Sequence, residues 1–423
     1  MNLTIKPTSV SGTVTAPPSK SYMQRAIALA VLSHNPTIIS NLSDCNDCRA
    51  AIGVARNLGC AVEQTADELR IVPPANGLAG SHLHCGESGL ALRMFTPVAS
   101  LLGSRVELTG EGSLTQRPVG FMEDTLRQLG VDVQTNSGLL PIAVKGPMQG
   151  GKATVDGSVS SQFLTGLLIA LPSLKNDTVL TVNNLTSRPY IDMTLQIMRD
   201  FGVLVENANY EQFTIKGGQQ YANAKYRVEG DWSGAAAFIV AAAIAGTLKI
   251  NGLNPQSAQA DRAIIDVLRL TGTKFAFDSD NCLIVNKNNN LQPFNFDATN
   301  CPDLFPVLAA LAANCKGTSA IAGVHRLTHK ESNRAEAIRR ELGKLGISID
   351  FEGDKMIVSG GPIGGGAASA CNDHRMAMSL ALCALNASGA VTIEGTECVS
   401  KSYPEFFDDL ENVVCGQQTT DKV

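Results

Sequence analysis

The chain has 423 residues, enough for about two to four domains, and 44% of them are hydrophobic against 17% charged. This composition predicts a compact folded protein and excludes a disordered chain. Lys and Arg total 34 against 39 Asp and Glu, a formal net charge of −5, with no basic run that could follow a phosphate backbone. We therefore expect no nucleic-acid partner.

The apolar runs predict neither a membrane span nor a secretion signal. The longest run, residues 235–245, falls well short of the roughly 18 residues that suggest a transmembrane helix. The N-terminus has the pattern of a strand from its first residues and lacks a charged and apolar leader. We expect a protein of a bacterial-type cytosol, with no membrane partner.

Eleven cysteines, an odd number, run from Cys45 to Cys415 and suit reduced, buried thiols better than a disulfide framework. Cys45 and Cys48 form the one close pair, on the first turn of a predicted helix, without the second pair or nearby histidines that zinc requires. His82 and His84 share one face of a predicted strand, but no carboxylate or third ligand follows at a fitting spacing. We expect no metal and no cofactor.

A helix end followed by a strand recurs along the chain and closes each time on a glycine. These glycines are 70 to 74 residues apart: Gly59, Gly130, Gly202, Gly272 and Gly346. Glycine ends helices because it readily adopts a positive φ. Six units of about 70 residues would fill the chain, each with two helices and three or four strands.

Helical periodicity places two helices in each unit, taken here in chain order. The first helices are predicted to begin near Lys20, Ser88, Ser160, Trp232, Pro302 and Asn372. The second helices are predicted to begin near Asp44, Pro118, Pro189, Asp261, Glu331 and Pro404. Because both series advance by about 70 residues, duplicated subdomains explain the chain better than an open stack of short repeats.

Cationic and hydroxyl side chains gather at these helix starts. They include Lys20, Ser21, Arg25, Ser88, Arg93, Ser160, Ser161, Ser187, Arg188, Lys330, Arg334, His374, Arg375 and Lys401. A helix start already offers unpaired N–H groups and partial positive charge, so added cations favour anion binding over helix stability. Any one of these residues could be an ordinary cap or a solvated side chain, but so many equivalent positions predict small phosphate or carboxylate ligands.

Nucleotide-binding motifs do not explain these starts. No Gly-x-Gly-x-x-Gly follows a strand, and the Gly-rich stretch before Lys152 continues with Ala153, which lacks the hydroxyl that a phosphate-binding loop uses for magnesium. The candidate proton-transfer groups are Lys20, Asp303, Lys330, Glu331 and His374.

Six segments together resemble the enolpyruvyl transferase family, in particular the branch that acts on shikimate 3-phosphate. They are Pro18–Arg25, Gln116–Pro118, Gly157–Leu164, Ser187–Tyr190, Lys330–Arg334 and Asn372–Ala377. The resemblance covers nearly the whole chain in order. It implies an α/β (α+β) fold, a two-domain inside-out α/β barrel built from six βαβαββ repeats, three per domain. One domain would comprise residues 1–18 plus 229–423, and the other residues 19–228.

The resemblance also implies transfer of the enolpyruvyl group of phosphoenolpyruvate to the 5-hydroxyl of shikimate 3-phosphate, through a tetrahedral intermediate, in chorismate and aromatic amino acid biosynthesis. Carried over position by position, shikimate 3-phosphate would be held by Lys20, Ser21, Arg25, Ser160, Ser161, Gln162, Ser187, Tyr190, Asp303 and Lys330. Phosphoenolpyruvate would be held by Lys20, Gly89, Arg117, Gln162, Arg334, Arg375 and Lys401. Glu331 would donate a proton and Asp303 accept one, with Lys20 assisting; the enzyme would be a monomer.

Some positions depart from the family pattern. Glu87 replaces an amide and places a carboxylate beside an expected anion site. His329 and Asn333 replace a hydrophobic residue and an acid, and Arg326 stands where the family often has an asparagine. Two alternatives remain open at this stage. One is the sister transferase acting on UDP-N-acetylglucosamine, and the other is a catalytically impaired paralogue that only binds an anionic metabolite.

Overall fold

The computed structural model describes residues 1–328 and 330–414, so His329 and Cys415 lie outside the described residues. The chain divides into two compact units. The first unit is Met1–Pro17 together with the chain from Gly230 onward, and the second unit is Pro18–Glu229.

Twelve α-helices occur in the described residues. They are α1 (Lys20–Val31), α2 (Asn46–Asn57), α3 (Gly89–Ala99), α4 (Glu123–Gln128), α5 (Ser161–Ala170), α6 (Arg188–Asp200), α7 (Trp232–Ala245), α8 (Ile264–Leu270), α9 (Phe305–Ala313), α10 (Arg334–Gly343), α11 (His374–Leu385) and α12 (Phe406–Val413).

The strands of the second unit are β3 (Thr37–Ser40), β4 (Ala61–Gln64), β5 (Glu68–Val72), β6 (His82–His84), β7 (Arg105–Thr109), β8 (Asp132–Asn136), β9 (Leu139–Lys145), β10 (Lys152–Asp156), β11 (Thr178–Asn183), β12 (Val205–Ala208), β13 (Gln212–Ile215) and β14 (Lys225–Arg227). Those of the first unit are β1 (Asn2–Ile5), β2 (Val10–Thr15), β15 (Gly246–Asn251), β16 (Phe275–Phe277), β17 (Leu283–Asn286), β18 (Asn295–Asp297), β19 (Thr318–Ala322), β20 (Ser348–Glu352), β21 (Lys355–Ser359), β22 (Gly366–Ser369) and β23 (Val391–Glu394).

Five four-stranded sheets share one topology. Their orders are β14-β3-β5-β4, β6-β7-β9-β8, β10-β11-β13-β12, β2-β15-β17-β16 and β18-β19-β21-β20. In each sheet the first two strands pair in parallel and the other pairs are antiparallel, as a βαβαββ unit requires. The predicted α/β architecture of repeated units, three in each half of the fold, is confirmed.

The sixth sheet has fewer strands than the repeat pattern predicts. In the described residues it has three strands, in the order β1-β23-β22, with β22 parallel and β1 antiparallel to β23. The N-terminal strand β1 thus completes the last repeat. The preceding strand β2 pairs with β15 and begins the fourth repeat.

The first helix of each repeat forms the core of its unit. In the first unit α7, α9 and α11 pack on one another, and all of their residues are buried. In the second unit α1 packs on α3 and α3 on α5, with few exposed side chains. A helix that is apolar on all sides belongs in a core, which leaves its ends to carry polar groups.

The boundaries of several elements follow the sequence closely. The five repeat glycines all have positive φ, from +74° at Gly272 to +91° at Gly59, and each follows a helix as predicted. The predicted helix start at Pro118 is wrong: a 3-10 turn at Gly120–Met122 precedes α4, which begins at Glu123. Among the described residues, no helix combines the length and the apolar character needed to cross a membrane.

Candidate active site

Lys20 opens α1, the first core helix of the second unit. Its Nζ donates to Asp47 Oδ2 at 2.9 Å, and the two side chains are 13% and 7% exposed. The preceding residue, Ser19, is fully buried, and its amide donates to the Glu229 carbonyl at 2.9 Å. Lys20 is therefore a nearly buried cation at the start of α1. The hydrogen bond between Ser19 and Glu229 holds this helix start against the end of the second unit's chain segment.

Arg25 links α1 to α6 and is 1% exposed. Its Nη1 donates to the Ser21 carbonyl at 2.8 Å, its Nη2 to the Tyr190 carbonyl at 3.2 Å and its Nε to Thr194 Oγ1 at 3.0 Å. Burial lowers the pKa of Arg25 to about 10, so the guanidinium remains charged at neutral pH. Three of the predicted shikimate 3-phosphate residues therefore lie together.

Gly89 lies against two guanidinium groups. A Cβ atom at this position would come within 2.9 Å of Nη1 of both Arg93 and Arg117. Arg93 in turn donates to Gln162 Oε1 at 3.0 Å, which joins the starts of α3 and α5. Arg117 is 9% exposed, and its Nε has no hydrogen-bond partner among the described residues. The absence of a side chain at Gly89 leaves room for this pair of cations.

Serine side chains cap or precede the starts of α5 and α6. Ser160 Oγ accepts a hydrogen bond from the Gln162 amide at 3.2 Å, and Ser161 is 4% exposed. Ser187 is 4% exposed and has a φ of +58°, a left-handed conformation that is uncommon for serine. Such a conformation at a helix start is typical of a functional constraint.

Glu87, the carboxylate that departs from the family pattern, contacts the neighbouring loop. Ser113 Oγ donates to Glu87 Oε2 at 3.4 Å, and a Cβ atom built on Gly112 would overlap the Glu87 carboxylate. The side chain of Glu87 therefore lies against the 3-10 segment Gly112–Gln116, which leads to Arg117.

In the first unit, Arg334 lies among three carboxylates. Its Nη1 donates to Asp303 at 2.7 Å, its Nη2 to Glu331 at 2.5 Å and its Nε to Asp373 at 2.8 Å, and its side chain is 1% exposed. Lys330 Nζ donates to the same Asp303 oxygen at 3.3 Å. The structure thus brings together four predicted residues, Asp303, Lys330, Glu331 and Arg334.

Opposing effects set the ionisation of this cluster. Burial raises the pKa of Asp303, but the charges of Lys330, Arg334 and Arg375 outweigh it and hold that pKa well below its usual range. Burial lowers the pKa of Lys330, partly offset by the Asp303 carboxylate. Asp303 is therefore an ionised carboxylate, able to accept a proton once its cationic partners are drawn elsewhere.

Arg375 begins α11 and is anchored in two ways. Asp373 caps the helix by accepting from the Arg375 amide at 3.0 Å, and Arg375 Nη1 donates to the Ser233 carbonyl at 2.7 Å. Arg375 Nε is buried without a hydrogen-bond partner among the described residues. Lys401, 7% exposed, ends a 3-10 helix that packs against α11, and His374 is 1% exposed.

Asn333 has a structural explanation, and Arg326 has an electrostatic effect on Lys330. Asn333 is the N-cap of α10, and its Oδ1 accepts from the Glu336 amide at 3.5 Å, so an amide fulfils the role of a capping acid. Arg326 lies in the 3-10 segment Val324–Leu327. Its charge also lowers the pKa of Lys330, but by less than burial does.

Sequence reasoning missed several members of these clusters. Asp47 and Asp373 were not predicted as site residues, although they hold Lys20 and Arg334 by hydrogen bonds. Arg93 lies at a predicted helix start, but the family resemblance assigns it no substrate. A carboxylate that pairs with a cation from another element leaves no local signal; only its position at a predicted helix start could have indicated Asp373.

The two histidines considered as metal ligands lie on β6. His82 and His84 do share a face of β6, but contrary to expectation carboxylates lie near them, Glu107 and Glu111, each with an oxygen at 3.7 Å. These acids lie on or beside the neighbouring strand β7, so spacing along β6 could not reveal them. No cluster able to hold a metal ion occurs in residues 1–328 and 330–414.

A cavity of about 820 Å³ lies in the second unit near the C-terminal ends of α1 and α3, lined in part by Val31–His34 and Leu101–Ser104. None of the predicted substrate residues lines it. The residues predicted to bind the substrates, among them Lys20 and Gly89, instead lie at the opposite, N-terminal ends of α1 and α3.

Repeated α/β units that carry Lys20, Arg93 and Arg375 near the starts of the core helices α1, α3 and α11 are typical of the class of protein that binds small anions. The EPSP synthase (3-phosphoshikimate 1-carboxyvinyltransferase) family model matches residues 5–410. The chain therefore belongs to the EPSP synthase family.

Individual relatives agree with this assignment. Proteins named 3-phosphoshikimate 1-carboxyvinyltransferase from Clostridium kluyveri and Clostridium novyi are 37% and 36% identical to this chain, with 97% of each chain covered. The solved EPSP synthase of Acinetobacter baumannii has a TM-score of 0.83 at 26% identity, covering 98% of both chains. The enolpyruvyl transferase NikO of Streptomyces tendae, at 19% identity and a TM-score of 0.78 over 99% of both chains, shares the fold.

Proposed function

We propose that this chain transfers the enolpyruvyl group of phosphoenolpyruvate to the 5-hydroxyl of shikimate 3-phosphate and releases phosphate, a step of chorismate and aromatic amino acid biosynthesis. The observation that carries the proposal is the set of buried cations at the starts of the core helices in a member of the EPSP synthase family. Both substrates carry a phosphate and a carboxylate, which such cations bind.

Shikimate 3-phosphate is proposed to bind mainly through the second unit. Its ligands there are Lys20, Ser21, Arg25, Ser160, Ser161, Gln162, Ser187 and Tyr190, with Asp303 and Lys330 contributed by the first unit. Arg25 supports this role because it already fixes Ser21 and Tyr190 by hydrogen bonds to their carbonyl groups. The charged Arg25 side chain and the hydroxyl groups suit a phosphate ester and a polyhydroxylated ring.

Phosphoenolpyruvate is proposed to bind through Lys20, Gly89, Arg117 and Gln162 of the second unit and Arg334, Arg375 and Lys401 of the first. Arg117 and Arg375 support this role most directly, since each has a buried Nε with no hydrogen-bond partner among the described residues. Unsatisfied buried donors are costly, and an anion that accepts from them removes the cost.

Glu331 is proposed as the proton donor and Asp303 as the proton acceptor, with Lys20 assisting. The donor protonates the methylene carbon of phosphoenolpyruvate while the hydroxyl oxygen of the other substrate bonds to C2 and loses its proton to Asp303. The resulting tetrahedral intermediate loses phosphate and a proton from its methyl group. An anionic substrate that takes Arg334 away from Asp303 and Glu331 would free both carboxyl groups for proton transfer.

A phosphate-release assay with purified protein tests the assignment. We expect phosphate only when phosphoenolpyruvate and shikimate 3-phosphate are both present. Turnover with UDP-N-acetylglucosamine instead would assign the chain to the sister reaction. Tight binding of both substrates without turnover would identify a metabolite-binding paralogue.

We further propose that the enzyme acts as a monomer in the cytosol, without a cofactor, a nucleic acid or a membrane partner. Both substrates are small and water-soluble, and the reaction needs only acid, base and electrostatic groups. Light scattering at micromolar concentration checks the oligomeric state.

A further inference from the structure

Two loops of the second unit lie side by side. The first loop joins β6 to α3 and carries Glu87. The second loop, residues 110–117, follows β7 and ends at Arg117. Their backbones are joined where the Glu111 amide donates to the Gly86 carbonyl at 2.9 Å. This bond fixes the beginning of the second loop, so the path from there to Arg117 depends on the contacts that follow it.

The Glu87 side chain supplies the next contacts. A Cβ atom built on Gly112 would overlap the Glu87 carboxylate and lie 2.9 Å from Glu87 Cγ, so the absence of a side chain at Gly112 leaves the space that this carboxylate occupies. Gly112 also has a φ of +54°, a backbone conformation that favours glycine. Ser113 Oγ donates to Glu87 Oε2 at 3.4 Å. Glu87 therefore lies against the first two residues of the 3-10 segment Gly112–Gln116.

The same 3-10 segment places Arg117. Its last turn closes where the Arg117 amide donates to the Leu114 carbonyl at 3.1 Å. Arg117 Nη1 lies 2.9 Å from the position that a Cβ atom on Gly89 would occupy. The next residue, Pro118, accepts at its carbonyl from Arg93 Nη2 at 3.2 Å. Displacement of the segment would therefore move both guanidinium groups that lie against Gly89.

We propose that Glu87 is a positioning residue for phosphoenolpyruvate binding. Its carboxylate, packed against Gly112 and hydrogen-bonded to Ser113, holds the 3-10 segment in place. Arg117 thereby faces Gly89. The proposal rests on the proposed roles of Gly89 and Arg117, whereas the contact between Glu87 and Gly112 does not. Because Glu87 acts through its size and an accepting oxygen, an amide of the same shape fulfils the role as well.

Steady-state kinetics of two variants test the role. Glu87→Ala removes the contact, and we expect the KM for phosphoenolpyruvate to rise about fivefold, with less than about a twofold change in kcat and in the KM for shikimate 3-phosphate. Glu87→Gln keeps the size and the accepting oxygen, so its KM values should stay within about twofold of those of the natural chain. A larger change in Glu87→Gln, in either direction, would show that the charge is required and would overturn the proposal.

Gly112→Ala displaces the same carboxylate from the opposite side. The added methyl group takes the space of the Glu87 carboxylate, the flexible end of a side chain, so the KM for phosphoenolpyruvate should again rise about fivefold. In the double variant Glu87→Ala/Gly112→Ala no carboxylate is left to displace, and we expect a total rise of about fivefold. Independent effects would multiply to about 25-fold and would contradict the proposal.

Gly353→Ala is the matched control for backbone strain. Gly353 has a φ of +58°, and no atom lies within 4 Å of an added Cβ. Its KM values should stay within about twofold of those of the natural chain, and its loss of stability measures the cost of an alanine at positive φ alone. In urea unfolding, Gly112→Ala should destabilise the natural chain by more than this cost, and Glu87→Ala by no more than this cost when Gly112→Ala is added to it.

The possible failures can be told apart. Coupled effects of Glu87→Ala and Gly112→Ala on unfolding, with independent effects on KM, would leave the contact and overturn the positioning role. Equal rises in the KM for both substrates would also overturn it. Absence of turnover in the natural chain would contradict the proposed function instead. Calorimetric titration of phosphoenolpyruvate in the presence of shikimate 3-phosphate would then decide the role of Glu87 from affinity, and absence of binding would overturn both proposals.

Discussion

Buried cations in this protein are of two kinds, and the difference bears on their roles. Arg334 already has three carboxylate partners, whereas Arg117 and Arg375 each retain a buried Nε without a partner among the described residues. An anion that binds Arg117 or Arg375 can accept a hydrogen bond from the unpartnered Nε–H group. An anion that binds Arg334 must compete with Asp303 and Glu331, and so it changes the state of the proposed acid and base as it binds.

Removal of either proposed proton-transfer group should slow turnover. We expect Asp303→Ala and Glu331→Ala each to lower kcat at least about tenfold, or about 1.4 kcal/mol of barrier. Glu336→Ala, on the exposed face of the same helix as Arg334 and paired with Arg339, is the matched control and should keep its activity. Near-normal rates in both Asp303→Ala and Glu331→Ala would show that the two roles belong to other residues.

Gly89 offers a test of the phosphoenolpyruvate residues. Since the groups within 2.9 Å of an added Cβ are the ends of two flexible arginines, Gly89→Ala should fold normally while displacing both guanidinium groups. We expect the KM for phosphoenolpyruvate to rise about tenfold with a much smaller change for shikimate 3-phosphate. An equal rise for both substrates would argue against the assignment of Gly89 and Arg117 to one of them.

Asp261 predicts a pH dependence of stability. It is 4% exposed, and its Oδ1 has no hydrogen-bond partner among the described residues. Burial and then the Asp303 charge raise the pKa of Asp261 to about 7. An unfolded aspartate releases its proton near about pH 4, so between about pH 4 and 7 the folded chain binds a proton that the unfolded chain has lost. Asp261 therefore lowers stability as pH rises through this interval.

Asp261→Asn should remove that contribution. We expect the free energy of unfolding of the variant, relative to the natural chain, to improve from pH 5 to pH 8 by at most about 3 kcal/mol, because only the interval between pH 5 and about 7 contributes. Urea unfolding of both proteins at the two pH values measures the difference. A difference that does not change with pH would mean that Asp261 titrates normally.

At the scale of the element, local signals in the sequence predicted most of the framework. The repeat glycines and the starts of α1 and α7 fall where the patterns place them, because a positive φ and an apolar helical period are properties of the local chain. The start of α10 is predicted near Glu331 and lies three residues later, at Arg334, because Asn333 provides the cap. Long-range partners such as Asp47 were not predictable, because their pairing depends on how two elements pack.

The close packing of α3 on α5 gives a test at this scale. A Cβ atom on Gly166 would lie 2.6 Å from the Met94 carbonyl oxygen and 2.8 Å from Met94 Cα. Because backbone atoms cannot move aside singly, Gly166→Ala should separate the helices and lower the free energy of unfolding by about 1–3 kcal/mol.

The matched control is another helical glycine. Gly53 in α2 has no atom within 4 Å of an added Cβ, so Gly53→Ala should raise stability by about 0.5–1 kcal/mol. Urea denaturation compares the two variants. If Gly166→Ala is as stable as Gly53→Ala, α3 and α5 are not in the close backbone contact that the distances at Gly166 indicate.

At the scale of the molecule, the chain passes from one unit to the other twice, after Pro17 and after Glu229. A backbone hydrogen bond lies next to these crossing points in each unit. In the second unit the Ser19 amide donates to the Glu229 carbonyl, and in the first unit the Asp231 amide donates to the Pro17 carbonyl. The second unit is one continuous segment of the chain. Its last strand, β14, pairs with β3 in the sheet of the first repeat.

This continuity predicts that residues 18–229 fold alone. We expect the isolated segment to unfold cooperatively on heating and to bind shikimate 3-phosphate more weakly than the whole chain, without releasing phosphate. Circular dichroism and calorimetry measure these properties. A segment that lacks a cooperative transition would show that the second unit depends on the first for its stability.

The pairing of β1 and β2 with distant strands determines the order in which the sheets can form during synthesis. Both strands are synthesised long before their partners, which are β23 for β1 and β15 for β2. At about 5–20 residues per second, β2 waits roughly 10 to 50 seconds for β15, and β1 waits longer still for β23. The second unit can fold during that delay, while β1 stays without its partner strand until β23 of the last repeat has left the exit tunnel.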